Sequence, residues 1–317
     1  MEILLNLVLT GVGIAMLCGG GNWLVDGSVS VARRMGMSSL VVGMTVVAYG
    51  TSTPELAASI AAAGEHGDII LGNVIGSNVA NVGMVIGAAA IMTILLIGNQ
   101  TLRREIPIMI GVSILLVILS LDGAISLWDG IILIGALVSF TVFTFTRHPR
   151  TGADTHLSDA SKGGARGYAT KSYVKSFGLI GIGIGLLYAG AILTVDNAVA
   201  VAEAFNIPQK VIGITVIAIG TSLPELITTV IAIRRGHTDI GVGNIIGSNI
   251  YNILMIMGVA AVIAEISVDP PVFVDYTIMI AFSLVLFVAL KSGRVPRPVG
   301  LGLVAGYVAY LAASLLI

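Results

Sequence analysis

The chain has 317 residues, of which 56% are hydrophobic and 10% charged, with a mean hydropathy of +1.02. Soluble domains carry about 25% charged residues, so a soluble protein is excluded and most of this chain belongs in lipid. Its 16 Lys and Arg against 17 Asp and Glu leave a net charge of −1, which implies no nucleic-acid partner.

At about 20 residues per span there is room for roughly ten transmembrane helices. Hydropathy places them near 3–25, 38–62, 70–97, 104–121, 125–146, 174–194, 208–233, 240–264, 272–291 and 297–316. The first opens Met1-Glu2 with no basic stretch and runs long enough to span, so it reads as a helix and not as a signal peptide. Uniformly apolar runs of this length exclude barrel strands. The single Cys18 excludes an intrachain disulfide framework and a multi-cysteine metal site.

Basic residues set the expected orientation. With the N-terminus outside, 15 of the 16 Lys and Arg fall in cytoplasmic connections, and only Lys210 does not. Both termini are then extracellular. Residues 148–173 are rich in Gly, Ser, Thr, Ala and charge and read as a flexible cytoplasmic linker.

That linker separates two halves that repeat one another. Gly50-Thr51-Ser52-Thr53-Pro54-Glu55-Leu56 returns as Gly220-Thr221-Ser222-Leu223-Pro224-Glu225-Leu226, an offset of 220 − 50 = 170. Gly72-Asn73-Val74-Ile75-Gly76-Ser77-Asn78-Val79-Ala80-Asn81 returns as Gly243-Asn244-Ile245-Ile246-Gly247-Ser248-Asn249-Ile250-Tyr251-Asn252, an offset of 243 − 72 = 171. Each half holds five spans, an odd number, so the second enters the membrane from the opposite side. The expected fold is an all-α integral membrane protein of ten transmembrane helices in two inverted five-helix repeats, residues 1–147 and 174–317, joined by the linker.

Only Glu55 and Glu225 are expected well inside a span, with no Lys or Arg at that depth. A central aspartate costs roughly 2.5–3.5 kcal/mol to insert. Protonation, a watery cavity or bound cations offset such a cost. The neighbours favour cations. Thr51 and Ser52 lie four and three residues before Glu55, on one helical face. Pro54 lacks an N–H and clashes with the carbonyl of Gly50, which loosens the helix and frees carbonyls as ligands. Asn73, Ser77 and Asn81 recur every four residues as a polar stripe, and Thr221, Ser222, Pro224, Asn244, Ser248 and Asn252 repeat the pattern.

This is an all-oxygen inventory. Hard cations such as Ca²⁺ take about 6–8 oxygens, whereas transition metals want the His and Cys missing here. Two glutamates carry −2, which one Ca²⁺, two Na⁺ or two H⁺ neutralise. Asn78 and Asn249 read as contacts between helices, and Gly72-xxx-Gly76 and Gly243-xxx-Gly247 as packing motifs.

The doubled GTS-x-PE and GN-x-IGSN-xx-N motifs resemble the signature repeats of the cation/calcium exchanger superfamily, in particular the short prokaryotic sodium/calcium exchangers. The resemblance spans essentially the whole chain. It implies antiport of Ca²⁺ against Na⁺ by alternating access in the cell membrane, with the first and sixth spans as gating helices. It implies Glu55 and Glu225 as central ligands, with Thr51, Thr221, Ser52, Ser222, Ser77, Ser248, Asn81 and Asn252 around them and main-chain carbonyls at Ala48 and Ala218. No cofactor and no protein partner are implied beyond lipid and small inorganic cations. One departure stands out: well-known members carry Asp where this chain has Asn252. That leaves sodium stoichiometry and proton coupling open, with a proton/calcium exchanger as the nearest rival. A cation channel and an intramembrane enzyme are the readings from other classes. The enzyme reading has no His, Cys or Lys beside the glutamates.

Overall fold

The computed structural model describes residues 2–64, 67–99, 101–147, 172–207, 218–290 and 292–316. Most of the linker expected at 148–173 and the start of the span expected at 208–233 lie outside the described residues. The described chain is mostly helical. In order, α1 is Glu2–Met35, α2 Ser39–Val42, α3 Ala48–Thr51, α4 Thr53–Ala62, α5 Gly67–Ala80, α6 Gly87–Met92, α7 Ile106–Leu119 and α8 Leu127–Arg147. After the linker come α9 Tyr173–Ala204, α10 Ala218–Thr221, α11 Leu223–Arg234, α12 Thr238–Tyr251, α13 Gly258–Ile263, α14 Val272–Val285 and α15 Arg297–Leu316.

Among the described residues six helices are long and apolar enough to cross a membrane: Glu2–Met35, Gly67–Met92, Leu127–Thr146, Tyr173–Ala204, Thr238–Ile263 and Val272–Ala289. The span expected at 38–62 is interrupted, so it fails a test of unbroken length. Two expected spans are longer than anticipated. α1 has 34 residues and α9 has 32, against the expected 3–25 and 174–194. At about 1.5 Å per residue α1 measures about 51 Å, well beyond the roughly 30 Å hydrocarbon layer. Asp26 and Asp196, expected near span ends, therefore lie inside continuous helices. Ser172 caps α9, accepting from the N–H of Lys175 at 3.3 Å.

Burial separates a centre from a periphery. The continuous helices through α5–α6 and α12–α13 are 78% and 89% buried along their apolar stretches, whereas α1 is 17% buried. The asparagine-bearing helices thus form the middle. Leu4, Leu5, Leu7 and Val8 of α1 and Trp128 of α8 stay exposed, as lipid-facing side chains do.

α1 and α9 pack along a seam of small residues. On α1 the seam is Gly13, Gly20 and Gly27; on α9 it is Gly190, Gly183 and Ser176, all at seven-residue intervals. The order runs oppositely, so the helices are antiparallel. A Cβ on Gly20 would lie 2.8 Å from the carbonyl oxygen of Gly183, and one on Gly183 only 2.7 Å from the nitrogen of Leu24. Backbones this close exclude any side chain between them.

Gly243 and Gly247 pack in the same way, as expected of their motif, but Gly72 and Gly76 do not: a Cβ on either would meet no described atom within 4 Å. A Cβ on Gly243 would lie 2.8 Å from the carbonyl oxygen of Leu40.

Two short antiparallel ribbons join the halves. β1 (Leu95–Leu96) pairs with β4 (Arg294–Val295), and β2 (Ala124–Ile125) with β3 (Ile266–Ser267). Sequence reading had no signal for strands of two residues.

At the end of α11, Arg235 reaches α1. Its Nη1 donates to Asp26 Oδ1 at 2.7 Å, and Nη2 donates to Asn22 Oδ1. His237 is buried beside this pair. Burial, then the charges of Arg33 and Arg235, push its imidazole below the usual histidine range, and Asp26 only partly opposes them. A lowered folded pKa means the neutral ring fits the fold. Its contribution is present above the ordinary value of 6.5 and is lost as pH falls through the lowered one.

Two expectations follow. Gly183→Val should destabilise the protein by about 1–3 kcal/mol through overpacking, while Gly181→Val, where a Cβ meets no described atom within 4 Å, should stay near wild type. Chemical denaturation in detergent distinguishes them. Thermal melts at pH 7 and pH 5 should show wild type losing more stability on acidification than His237→Gln.

Candidate ion-binding site

The two glutamate segments are built alike. α3 ends at Thr51, Ser52 takes φ −81° and ψ 5°, and α4 starts at Thr53 with Pro54 in its first turn. In the second half Ser222 takes φ −87° and ψ 3° between α10 and α11, with Pro224 in the same place. Proline has no N–H to continue the ladder, and the first turn of a helix is where that loss is tolerated. The break is mild: Ser52 N–H still donates to Ala48 O at 3.0 Å, and Leu56 N–H to Ser52 O at 3.1 Å. Its result is a new helix N-terminus in the middle of the protein. Glu55 and Glu225 each sit in that first turn, where the positive end of the helix dipole favours an anion.

The segments meet. Ser52 Oγ, from the first half, donates to Glu225 Oε1 at 3.3 Å. Ser248 Oγ donates to the same oxygen at 3.5 Å. Thr51 Oγ1 lies 3.3 Å from Ser248 Oγ and donates to Asn244 Oδ1 at 3.1 Å. Glu55 and Glu225 are near enough to act on one another electrostatically. Both are essentially inaccessible, at 1% and 0% exposure.

Asn73 and Asn244 turn out to brace the glutamate helices. Asn73 Nδ2 donates to Ser59 Oγ at 3.0 Å and to the Glu55 carbonyl oxygen at 3.3 Å. Asn244 Nδ2 donates to Thr229 Oγ1 at 3.0 Å, the counterpart of the first bond. Of the expected polar stripe, then, Asn73 serves as a strut, while Ser77 and Asn81 are buried and Asn81 Nδ2 donates to Asn249 Oδ1 at 3.0 Å.

Seven buried side-chain oxygens here have no hydrogen-bond partner: Glu55 Oε1 and Oε2, Glu225 Oε2, Ser77 Oγ, Ser222 Oγ, Asn81 Oδ1 and Asn252 Oδ1. Neither glutamate is paired with a basic side chain among the described residues. Such oxygens are costly to bury unpaired. They are also what a hard cation needs, in number and kind. No cluster of three or more His, Cys, Asp or Glu occurs among the described residues, so neutral oxygens must make up most of any coordination shell.

The remaining expected ligands are placed less tightly. Thr221 is half-buried at the end of α10. The Ala48 carbonyl already accepts from Ser52 N–H and, at 3.3 Å, from Thr51 Oγ1. Ala218 begins α10, in register with Ala48 at the start of α3.

Three features escaped sequence reading. π-helical turns begin at Asn81 and at Asn252, running Asn81–Ile86 and Asn252–Met257. Such turns occur often at functional sites, but no residue pattern announced them. Asn78 and Asn249, read as contacts between helices, also bond to Asn252 and Asn81. Glu105, passed over among the acids, is buried beside Arg104 at 3.2 Å.

Comparison with known proteins places the chain in a family. The family model described as "Sodium/calcium exchanger protein" matches residues 5–146 and again residues 175–316. The chain is 35% identical to the inner membrane protein YrbG of Escherichia coli K12, covering 98% of this chain and 97% of that one. It is 30% identical to the sodium/calcium exchanger MaX1 of Methanosarcina acetivorans, covering 98% of each. Its structure is similar to that of the sodium-calcium exchanger NCX_Mj soaked with Na⁺ and Sr²⁺, with a TM-score of 0.83, 30% identity and coverage of 98% and 99%. With the model matched across both halves and full-length relatives at this identity, the chain belongs to the sodium/calcium exchanger protein family.

Proposed function

We propose that this protein is a multi-pass membrane antiporter that exchanges Ca²⁺ for Na⁺. The observation that carries the reading is the set of seven unpartnered oxygens, three of them from two facing carboxylates, at the junction of the two halves. The family to which the chain belongs is one of transporters, which sets the enzyme reading aside. A passive channel would show no strict counter-ion requirement, which flux measurements distinguish from exchange.

Glu55 and Glu225 are the charged ligands. Thr51, Thr221, Ser52, Ser222, Ser77, Ser248, Asn81 and Asn252 complete the set with the main-chain carbonyls of Ala48 and Ala218. The carboxylates set the charge to be balanced, −2 when both are ionised. One Ca²⁺ or two Na⁺ neutralise it, so the two cargoes compete for one site. Competition of this kind, with an empty ionised site too costly to turn over, gives obligatory exchange. Asn252 contributes an oxygen without charge, which restricts the titratable ligands to the two glutamates.

The ten spans form two inverted five-helix repeats, with both termini outside and residues 148–173 in the cytoplasm. The doubled sequence, the two like-built glutamate breaks and the distribution of Lys and Arg support this arrangement. α1 and α9 are the gating pair. Their glycine seam supports their moving as one body, and their largely exposed outer faces suit lipid.

Proteoliposomes loaded with Na⁺ and diluted into Na⁺-free medium should accumulate ⁴⁵Ca²⁺. Uptake that ignored the Na⁺ gradient and followed a pH gradient would overturn sodium coupling. Glu55→Gln and Glu225→Gln should each reduce uptake by at least about 100-fold, since a neutralised ligand can no longer balance the cargo, while size-exclusion profiles stay those of folded protein. Asn252→Asp should make Ca²⁺ uptake more dependent on pH between 5 and 8 than in wild type, because it adds a titratable ligand.

A further inference from the structure

We infer that Asn78 and Asn249 are positioning residues, each orienting the ion-binding amide of the opposite repeat. The inference rests on the ligand assignment proposed above and extends it to residues outside the ligand set.

The four asparagines form a crossed clasp at the centre of the protein. Asn78 Nδ2 donates to the main-chain oxygen of Asn249 at 3.2 Å, and Asn249 Nδ2 donates to the main-chain oxygen of Asn78 at 3.5 Å. Each amide also touches a thioether: Asn78 that of Met279 and Asn249 that of Met109, both at 3.6 Å. The side-chain oxygens of this pair face the other way. Asn78 Oδ1 accepts from Asn252 Nδ2 at 3.2 Å, and Asn249 Oδ1 accepts from Asn81 Nδ2 at 3.0 Å. Asn78 and Asn81 lie on the same helix, one turn apart, yet each is wired to the partner repeat. All four residues are buried, at 1% exposure or less.

The wiring fixes which atom of Asn81 and Asn252 faces the cations. Rotating the Asn81 amide would set its oxygen against Asn249 Oδ1, acceptor against acceptor. Turning Asn249 to accommodate it would place an acceptor against the main-chain oxygen of Asn78. Each flip forces another, and each opposes like groups among side chains that are buried. With both nitrogens held, Asn81 Oδ1 and Asn252 Oδ1 are left pointing away from the clasp with no partner. A cation needs that presentation, because an amide turned nitrogen-first would repel it. The arrangement parallels metal sites in which an outer partner orients an inner ligand, where losing the partner costs about 10–100-fold in affinity.

The crossing supplies a test that mere packing cannot imitate. Half-saturating Ca²⁺ for Na⁺-driven uptake is measured for N78A, N249A, N81A and N252A and for the four doubles that combine one clasp residue with one ligand. N78A and N249A should each raise half-saturation about tenfold. N78A should add less than about twofold in an N252A background, yet act in full on N81A. N249A should show the reverse, adding little to N81A and acting in full on N252A. Equal effects in both backgrounds would mean that the asparagines only hold the helices together, and would overturn the inference. So would wild-type half-saturation in N78A and N249A while N81A and N252A are impaired. Wild-type behaviour in N81A and N252A themselves would instead remove the ligand assignment, and the clasp's role with it. Should N78A or N249A fail to elute as folded protein, Asn78→Ser and Asn249→Ser take their place, since the shorter hydroxyl cannot reach the opposite amide.

Discussion

Two carboxylates are buried at helix breaks that meet, and among the described residues no basic side chain pairs with either; most of the structure answers to that fact. Removing an anion from water costs several kcal/mol even after relaxation. Helix N-termini created by Pro54 and Pro224 aim partial positive charge at each acid. Ser52 and Ser248 donate to Glu225. These partial remedies still leave three of the four carboxylate oxygens without a partner. Protonation, water or a bound cation has to make up the difference, and the oxygens gathered around the acids favour a cation.

Neutral groups divide the remaining work. Some are struts: Asn73 with Ser59, and Asn244 with Thr229, hold the broken helices to the central ones. Others are presented inward with their oxygens unbonded, as Ser77, Ser222, Asn81 and Asn252 are. The same residue types fill both roles, and only geometry separates them. Outside this centre, buried aliphatic side chains do most of the packing, and at one seam main chains themselves meet. The α1–α9 seam brings main chains within van der Waals reach, which packs two long helices closely together while leaving their outer faces exposed.

Much of this was legible in the amino-acid order. The two glutamates, their hydroxyl neighbours and the proline breaks recur at a fixed offset, and repetition of an expensive feature is hard to read as accident. Hydropathy placed helices close to where they are found, because an apolar run in a bilayer has few alternatives. Length was less legible. α1 continues through Arg33 and Arg34 to Met35, since nothing in a helix stops where the hydrocarbon does. The π-helical turns at Asn81 and Asn252 left no trace in composition, being set by how neighbouring helices fit. Asn73 and Asn81 look alike in a four-residue stripe. One braces and the other presents an oxygen, a distinction that belongs to tertiary contacts. Asn78 and Asn249 were visible as repeated amides, but their crossed partners were not, because pairing across about 170 positions of chain is a property of the fold.

The ribbons carry a consequence for synthesis. β1 at Leu95–Leu96 finds its partner only at Arg294–Val295, and β2 at Ala124–Ile125 waits for Ile266–Ser267. When the ribosome has finished the first half, its strand edges, Asn78 and Asn81 all lack the second-half groups that will satisfy them. The nascent half must therefore sit in the bilayer as an incomplete product, its polar stripe shielded by the insertion machinery or by other lipid-embedded helices, until almost the last span emerges. Quality control that senses unsatisfied polar groups within membranes would find this chain vulnerable for most of its translation, and a truncation near the C-terminus would prolong that state indefinitely.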